Sequence, residues 1–334
     1  RASEPPATLV LATLRPDILA ERPETAGRIE RLREGPNASH FTLQPLDSED
    51  HRRLVGRLLP LEPRLEQRLA ERTEGNPLFA SQLLGDWIER GDIEAGEEGF
   101  RLSGDGPADV PDDIHALWLE RIDRVIGALP GVTTDSALRA LELAATLGRE
   151  VRNDEWRAVL EQAGIDLSAD LAGMLVERGL ATWTEEGWSF DHGLLVDSLQ
   201  RRAREAGRLE SHHRDAARML EERDGVRAEE TAARRAAHWL EAGERERALQ
   251  PLYTEARRCT DRGDSERWKS LLERREDLLD ELQIAADDPR RIQNDILEAW
   301  YHIELGDPAA AAAAGRSAFE EATRAGETQL AAEA

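Results

Sequence analysis

Hydrophobic positions along the chain change their period soon after its start. Residues Ala7 to Leu14 (ATLVLATL) form an apolar, β-branched run ending at Arg15-Pro16, which predicts a buried strand stopped by proline. A lone buried strand cannot make a sheet, so its partners are expected upstream of Arg1 or in another molecule. From Asp47 the apolar period turns helical. Asp47-Ser48-Glu49-Asp50 is an acidic, capped start followed by Leu54, Leu58 and Leu59. A second helix runs from Glu62 to Arg72 and stops at the turn Glu74-Gly75-Asn76-Pro77. A third carries Phe79, Leu83, Leu84 and Trp87 at helical spacing and closes at Gly91.

GDIEAGEEGFRL then predicts a small hairpin between Ile93 and Leu102, and GDGPADVP a loop. Pro111-Asp112-Asp113 opens a helix with Ile114, Leu117, Trp118, Ile122, Val125 and Leu129 on its inner side. Helices over 135–147, 153–163 and 167–178 are closed by Gly148, Gly164 and Gly179. ATWTEEGWSF follows, with Ala181, Trp183, Trp188 and Phe190 flanking a Glu-Glu-Gly turn, so several helices lead into a two-stranded wing, the pattern of a winged-helix domain. Beyond Asp191 everything reads as helix. Turns at 242–244, 262–264 and 305–307 separate helix pairs of the tetratricopeptide kind. Ala248 and Ala311 supply a small residue five positions after two of the turn glycines, whereas Trp268 stands there in the third, so the repeats are degenerate. Glu327 to Ala334 opens a further repeat, and together with a start that lacks Met this gives the expectation of a slice cut from a longer protein.

Composition narrows the function classes. The 334 residues exceed one ordinary core, so two or three packed units are expected. The longest apolar run, Ala309 to Ala314, is six alanines, which excludes a membrane helix. A single cysteine, Cys259, forms no internal disulfide and supplies no zinc cluster; a cytoplasmic setting and a buried or idle thiol follow. Net charge is −24, with Lys269 the only lysine and Arg mixed with Glu along the helices, which argues against nucleic acid as a partner.

The series VLATLRPD, TEGNPLFASQLL, VPDDIHALWLERIDR, LELAATLGREV, FDHGLLVDSL and AAHWLEAGERERAL resembles, in this order, the second half of STAND ATPases, the signal-transducing P-loop proteins related to MalT-type and LuxR-type regulators and to kinase-coupled ATPases. It covers the chain from Thr8 to Leu249. The resemblance implies a mainly α architecture: the end of an α/β P-loop core with its sensor strand (1–46), a helical lid with a Gly-Asn-Pro element and a small hairpin (47–110), a winged-helix domain (111–207) and tetratricopeptide-like repeats (208–334). It implies ATP or ADP as cofactor, with Mg²⁺ from the missing core. It also implies a protein or small-molecule signal on the helical arm, a fused kinase or other effector domain, and a ligand-induced homo-oligomer. Arg15 would read a terminal phosphate, Gly75 and Pro77 would meet the adenine, and His192 would contact the diphosphate of ADP. Read without the resemblance, Arg15 is a residue ending a strand, Gly75-Asn76-Pro77 a helix-joining turn, and His192 a helix cap or surface residue.

Catalytic chemistry is missing from the sequence. No Gly-rich loop with Lys and no acidic Mg²⁺ strand is present, so the chain alone is not expected to hydrolyse ATP. Gly263 to Ser270 approaches the P-loop pattern, but Trp268 occupies the second glycine position and no strand precedes it. His212, His213 and His238 lack the spacing of a metal site and are read as surface residues; Glu and Asp are placed on solvated helix faces; Ser189 and Ser198 have no nucleophile elbow. Two readings follow: a nucleotide-dependent switch fragment, and a non-enzymatic helical-repeat interaction module with a structural winged helix.

Overall fold

A computed structural model describes residues 9–14, 29–103, 113–129, 131, 133–166, 170–223 and 228–334. The protein is mainly helical, with short strands, and divides into two compact units at Ala108 and Asp109. Among the described residues no helix is long and apolar enough to cross a membrane.

In the first unit the strand expected over 7–14 does not form across its described part: residues 9–14 lie in no strand, with Leu9, Val10, Leu11 and Leu14 exposed. Apolar composition does not make a strand without a neighbouring edge to pair with, and the described residues give this segment none. Helices α1 (Ser48–Leu58), α2 (Pro63–Thr73) and α3 (Pro77–Arg90) pack on one another around Val55, Leu65, Leu69, Phe79, Leu83 and Trp87. Their starts follow from capping: Asp47 accepts from the N–H of Glu49 and Asp50, Pro63 stands in the first turn of α2, and Asn76 caps α3. Strands β1 (Ile93–Ala95) and β2 (Phe100–Leu102) form the hairpin, tied to the segment before α2 by Phe100 N–H to Pro60 O (2.8 Å) and Glu62 N–H to Phe100 O (2.9 Å).

The second unit begins with α4 (Ile114–Gly127) and α5 (Thr134–Leu147), followed by β3 (Glu150–Arg152), α6 (Asn153–Gln162), α7 (Leu171–Glu177), β4 (Ala181–Trp183), β5 (Gly187–Phe190) and α8 (Gly193–Glu205). The strands make one antiparallel sheet in the order β3-β5-β4, with Val151 opposite Trp188 and Ala181 opposite Phe190. Trp188 is fully buried and meets Trp156 and Phe190 edge-on, at 5.2 and 4.7 Å between ring centroids. Gly187 is required where β5 crosses β3, because a Cβ there would stand 2.0 Å from Val151 O.

From α9 (Leu209–Arg223) onward the unit is an array of helices: α10 (Ala228–Glu241), α11 (Arg245–Arg262), α12 (Ser265–Glu281), α13 (Pro289–Glu304), α14 (Pro308–Ala325) and α15 (Thr328–Glu333). Each packs on the next in sequence. Asp264, Asp288 and Asp307 cap α12, α13 and α14 from within the turns, so one side chain both ends a hairpin loop and starts the return helix. Their cores are successive apolar clusters, one around Trp239, Leu252 and Leu278, the next around Cys259, Trp268 and Leu297, the last around Ile296, Ala318 and Ala322.

Candidate functional site

Gly75-Asn76-Pro77 is a rigid turn held from below. Glu74 and Gly75 both take left-handed backbone angles (φ 47° and 75°), which reverses the chain between α2 and α3 within three residues. Gly75 is needed twice over: a Cβ there would lie 2.3 Å from Leu46 O, and its own carbonyl accepts from Leu46 N–H at 2.9 Å. Asn76 N–H donates to Thr73 O (2.8 Å), while its Oδ1 accepts from Leu78 and Phe79 N–H, both at 3.1 Å. Buried Thr73 donates its hydroxyl proton to Leu69 O (2.8 Å), so the 2.9 Å contact with His51 is a donation from Nε2. The Nδ1 of His51 is left buried without a hydrogen-bond partner, and burial pushes its pKa down against the opposing charge of Glu66. Pro77 is exposed at the start of α3, with partly exposed Leu78 beside it.

His192, in the second unit, lies between β5 and α8. The approach to it is fixed by Asp191, whose N–H donates to Leu180 O (3.1 Å) and whose carboxylate accepts from Thr182 Oγ1 (2.7 Å). Arg149 also reaches the carbonyls of Phe190 and Asp191, at 3.0 and 2.9 Å. His192 is exposed, and its ring stands 5.1 Å from that of buried Trp118, tilted by 40°. The guanidinium of Arg121 lies 5.1 Å from the same indole. The His192 side chain makes no capping bond to α8, so its ring nitrogens are not spent on the helix it precedes. Arg15 lies outside the described residues.

The buried ionisable groups are where sequence reading failed. His212 and His238 are buried, 2 % and 7 % exposed, which corrects the surface placement expected of them. Glu142 of α5 is fully buried and corrects the placement of all carboxylates on solvated faces: Arg208 holds it through Nε (2.8 Å) and Nη2 (2.6 Å), and His212 Nε2 lies at 3.0 Å. Burial works against its charge, yet the bonds from Arg208 and His212 outweigh this and keep the carboxyl below its ordinary value. His213 Nδ1 meets His238 Nδ1 at 3.0 Å, so one ring donates and the other accepts. Burial lowers the two to about 4 and about 3, reinforced by neighbouring cations and with no carboxylate among the causes. A partner-seeking residue 70 positions away, such as Glu142 for His212, leaves no local pattern to read.

Other arrangements lack the chemistry they suggest. His115 Nδ1 stands 2.9 Å from Ser198 Oγ, but Ser198 is buried and its proton goes to Leu194 O at 2.5 Å, which leaves none for a base to take. Lys269 sits on exposed α12 surface, 3.6 Å from Glu273, and Trp268 is buried in the array core rather than in a phosphate loop. Among the described residues no group of three or more His, Cys, Asp or Glu is placed to hold a metal ion. Cys259 is buried and, as the single cysteine of the sequence, forms no internal disulfide. Compared with family models, curated proteins and solved structures, the chain finds no match.

Proposed function

We propose that the chain is the sensing and relaying part of a nucleotide-dependent signalling switch of the STAND type. In this reading α4–α8 with the β3-β5-β4 sheet is the winged helix, α1–α3 with the β1-β2 hairpin is the lid, and the array is a tetratricopeptide-like arm that receives a protein or small-molecule signal. The supporting observation is His192: an exposed imidazole set against Trp118 at the uncapped start of a thirteen-residue helix. Such a position combines a ring N–H with the partial positive charge of first-turn amides, which suits a phosphate oxygen.

The residues present fit a nucleotide in part. In the second unit, taken by itself, His192 would suit a phosphate oxygen; in the first unit, taken by itself, exposed Pro77 and Leu78 beside the turn fixed by Gly75 would suit an apolar ring face. A bound ADP or ATP would supply the difference in charge that distinguishes two states, and the chain's residues would read it by holding one better than the other. Hydrolysis, and the Mg²⁺ it requires, would belong to a P-loop core that this sequence does not contain. Effector domain, fused kinase and induced oligomer belong to the same proposal.

The test compares dissociation of labelled ADP and ATP from the full-length protein with and without His192→Ala. Faster ADP release in the variant, with ATP less affected, supports the reading; identical rates remove His192 from it. A second reading is favoured by the way α10 to α15 each pack on the next: a helical-repeat interaction module that binds no nucleotide. It requires that the full-length gene encode no G-x-x-x-x-G-K-[ST] before Arg1.

A further inference from the structure

Between the sheet-bearing bundle and the array lies α9, whose buried face joins apolar Leu209, Ala216, Met219 and Leu220 to a charged contact at its start, where His212 is buried. It packs on α5 and α6 of the bundle and on α10 of the array. The link from α8 to α9 is three residues, Ala206, Gly207 and Arg208, held by Gly207 N–H to Arg204 O (2.9 Å) and Arg208 N–H to Ala203 O (2.8 Å). So short a turn sets the connection but leaves the angle between the two helices to be fixed by something outside it. Glu142 supplies that: from α5 it grips Arg208 at the turn and His212 one turn into α9, at 2.6–2.8 and 3.0 Å. Two-point attachment of a buried carboxylate admits one orientation, because any other would leave a charge in the interior unpaired. Farther along, Arg223 of α9 reaches Asp154, and Arg234 of α10 forks onto Glu155 at 2.8 and 2.6 Å. At the other end of α8, about 20 Å from the corner by helix rise, stands His192.

We propose that the Glu142–Arg208–His212 clamp is the joint through which the position of the array acts on His192: closed, it holds the α8–α9 corner at one angle; opened, it lets the array swing and α8 shift. The part concerning His192 rests on the switch reading above, and the part concerning the corner does not. Arg234–Glu155 and His213–His238 then act as secondary ties that keep α10 aligned with α9. The joint is a two-state element in the sense regulation needs, since a carboxylate either has both partners or exposes all three groups to water.

The experiment uses the full-length protein with Cys259→Ser, spin labels at exposed positions 177 on α7 and 277 on α12, and pulsed electron resonance distances. Glu142→Gln keeps the side-chain shape and removes the charge. It is expected to broaden the label-to-label distance distribution and to speed release of bound nucleotide by about 5-fold or more. A folded Glu142→Gln protein whose distances superimpose on those of the parent overturns the clamp. If that variant does not fold, Arg208→Lys, which keeps the charge but loses the fork, is expected to broaden the distances, and superimposable distances again overturn the proposal. Broadening with an unchanged release rate overturns the link to His192. A parent protein that carries no nucleotide overturns the switch reading, while the distances still decide the clamp.

Discussion

Replacing Gly75 by alanine separates the geometric need for this glycine from any role in binding. The backbone there has φ +75°, and an L side chain in that left-handed region costs about 1–2 kcal/mol. The new Cβ would also stand 2.3 Å from Leu46 O, a backbone atom that cannot rotate aside. Relief requires Leu46 to move, and with it the 2.9 Å bond from Leu46 N–H to Gly75 O, worth ~1 kcal/mol. The expected total is about 3 kcal/mol. Gly91→Ala is the control, with φ +72° and nothing within 4 Å of the new methyl, so only the left-handed cost of ~1–2 kcal/mol applies. Because the chain has two compact units, a single unfolding midpoint is not the right readout. Amide exchange at Leu46 and Asn76, both bonded into the turn, reports local opening directly. Gly75→Ala is expected to accelerate exchange there by about 100-fold. Equal acceleration in the Gly91→Ala protein at its own turn would refute the close-approach argument.

Arg275 is 1 % exposed and, among the described residues, donates to neutral groups: Leu249 O (3.2 Å), Arg290 O (2.7 Å), Asn294 Oδ1 (3.3 Å) and Gln293 Oε1 (3.3 Å). Burial lowers its pKa to about 10. Arg275→Ala is expected to destabilise the array by ~2–3 kcal/mol by stranding these acceptors, with a smaller loss for Arg275→Met, measured by urea unfolding. Acid should destabilise the second unit in two stages. His213 and His238 titrate in the fold at about 4 and about 3 against an ordinary 6.5, so the unfolded chain gains protons the folded one refuses and stability falls as pH drops from 6.5 towards 4. Glu142 adds stability above the ordinary carboxylate value that is lost as pH falls through its lower folded value. Thermal unfolding across this range should show the upper stage flattened by His213→Asn with His238→Asn; an unchanged slope would contradict it. Cys259 should react with a thiol reagent on the order of 100-fold more slowly in the native protein than in denaturant, and equal rates would show that the site is open.

Helices were legible in the sequence wherever a cap and an apolar stripe agreed, as with Asp47 and Asp113 before α1 and α4; the capping role of Asn76 before α3 was not read from its turn. The hairpin at Ile93–Leu102 and the β4-β5 pair were legible for the same reason: short alternation around a glycine turn. Strand β3 was missed because Glu150–Arg152 is three residues long, and only its pairing with β5 makes it a strand. The opposite error occurred at residues 9–14, where a strong apolar run meets no partner among the described residues. Local pattern likewise placed His192 correctly at the start of a helix but gave no sign that Trp118, more than 70 positions earlier, holds its ring. Glu142 reads as one more acidic residue on a helix until Arg208 and His212 are brought to it by the turn after α8. Buried charge is decided by tertiary pairing, which adjacent residues do not encode.

The most direct measurement of the switch reading is the nucleotide content of the purified full-length protein, identified by chromatography after denaturation. Close to one ADP per chain in the parent, and substantially less in the His192→Ala protein at unchanged helical content, is the expected result. A parent protein that releases no adenine nucleotide would contradict it and leave the helical-repeat interaction module as the reading that stands.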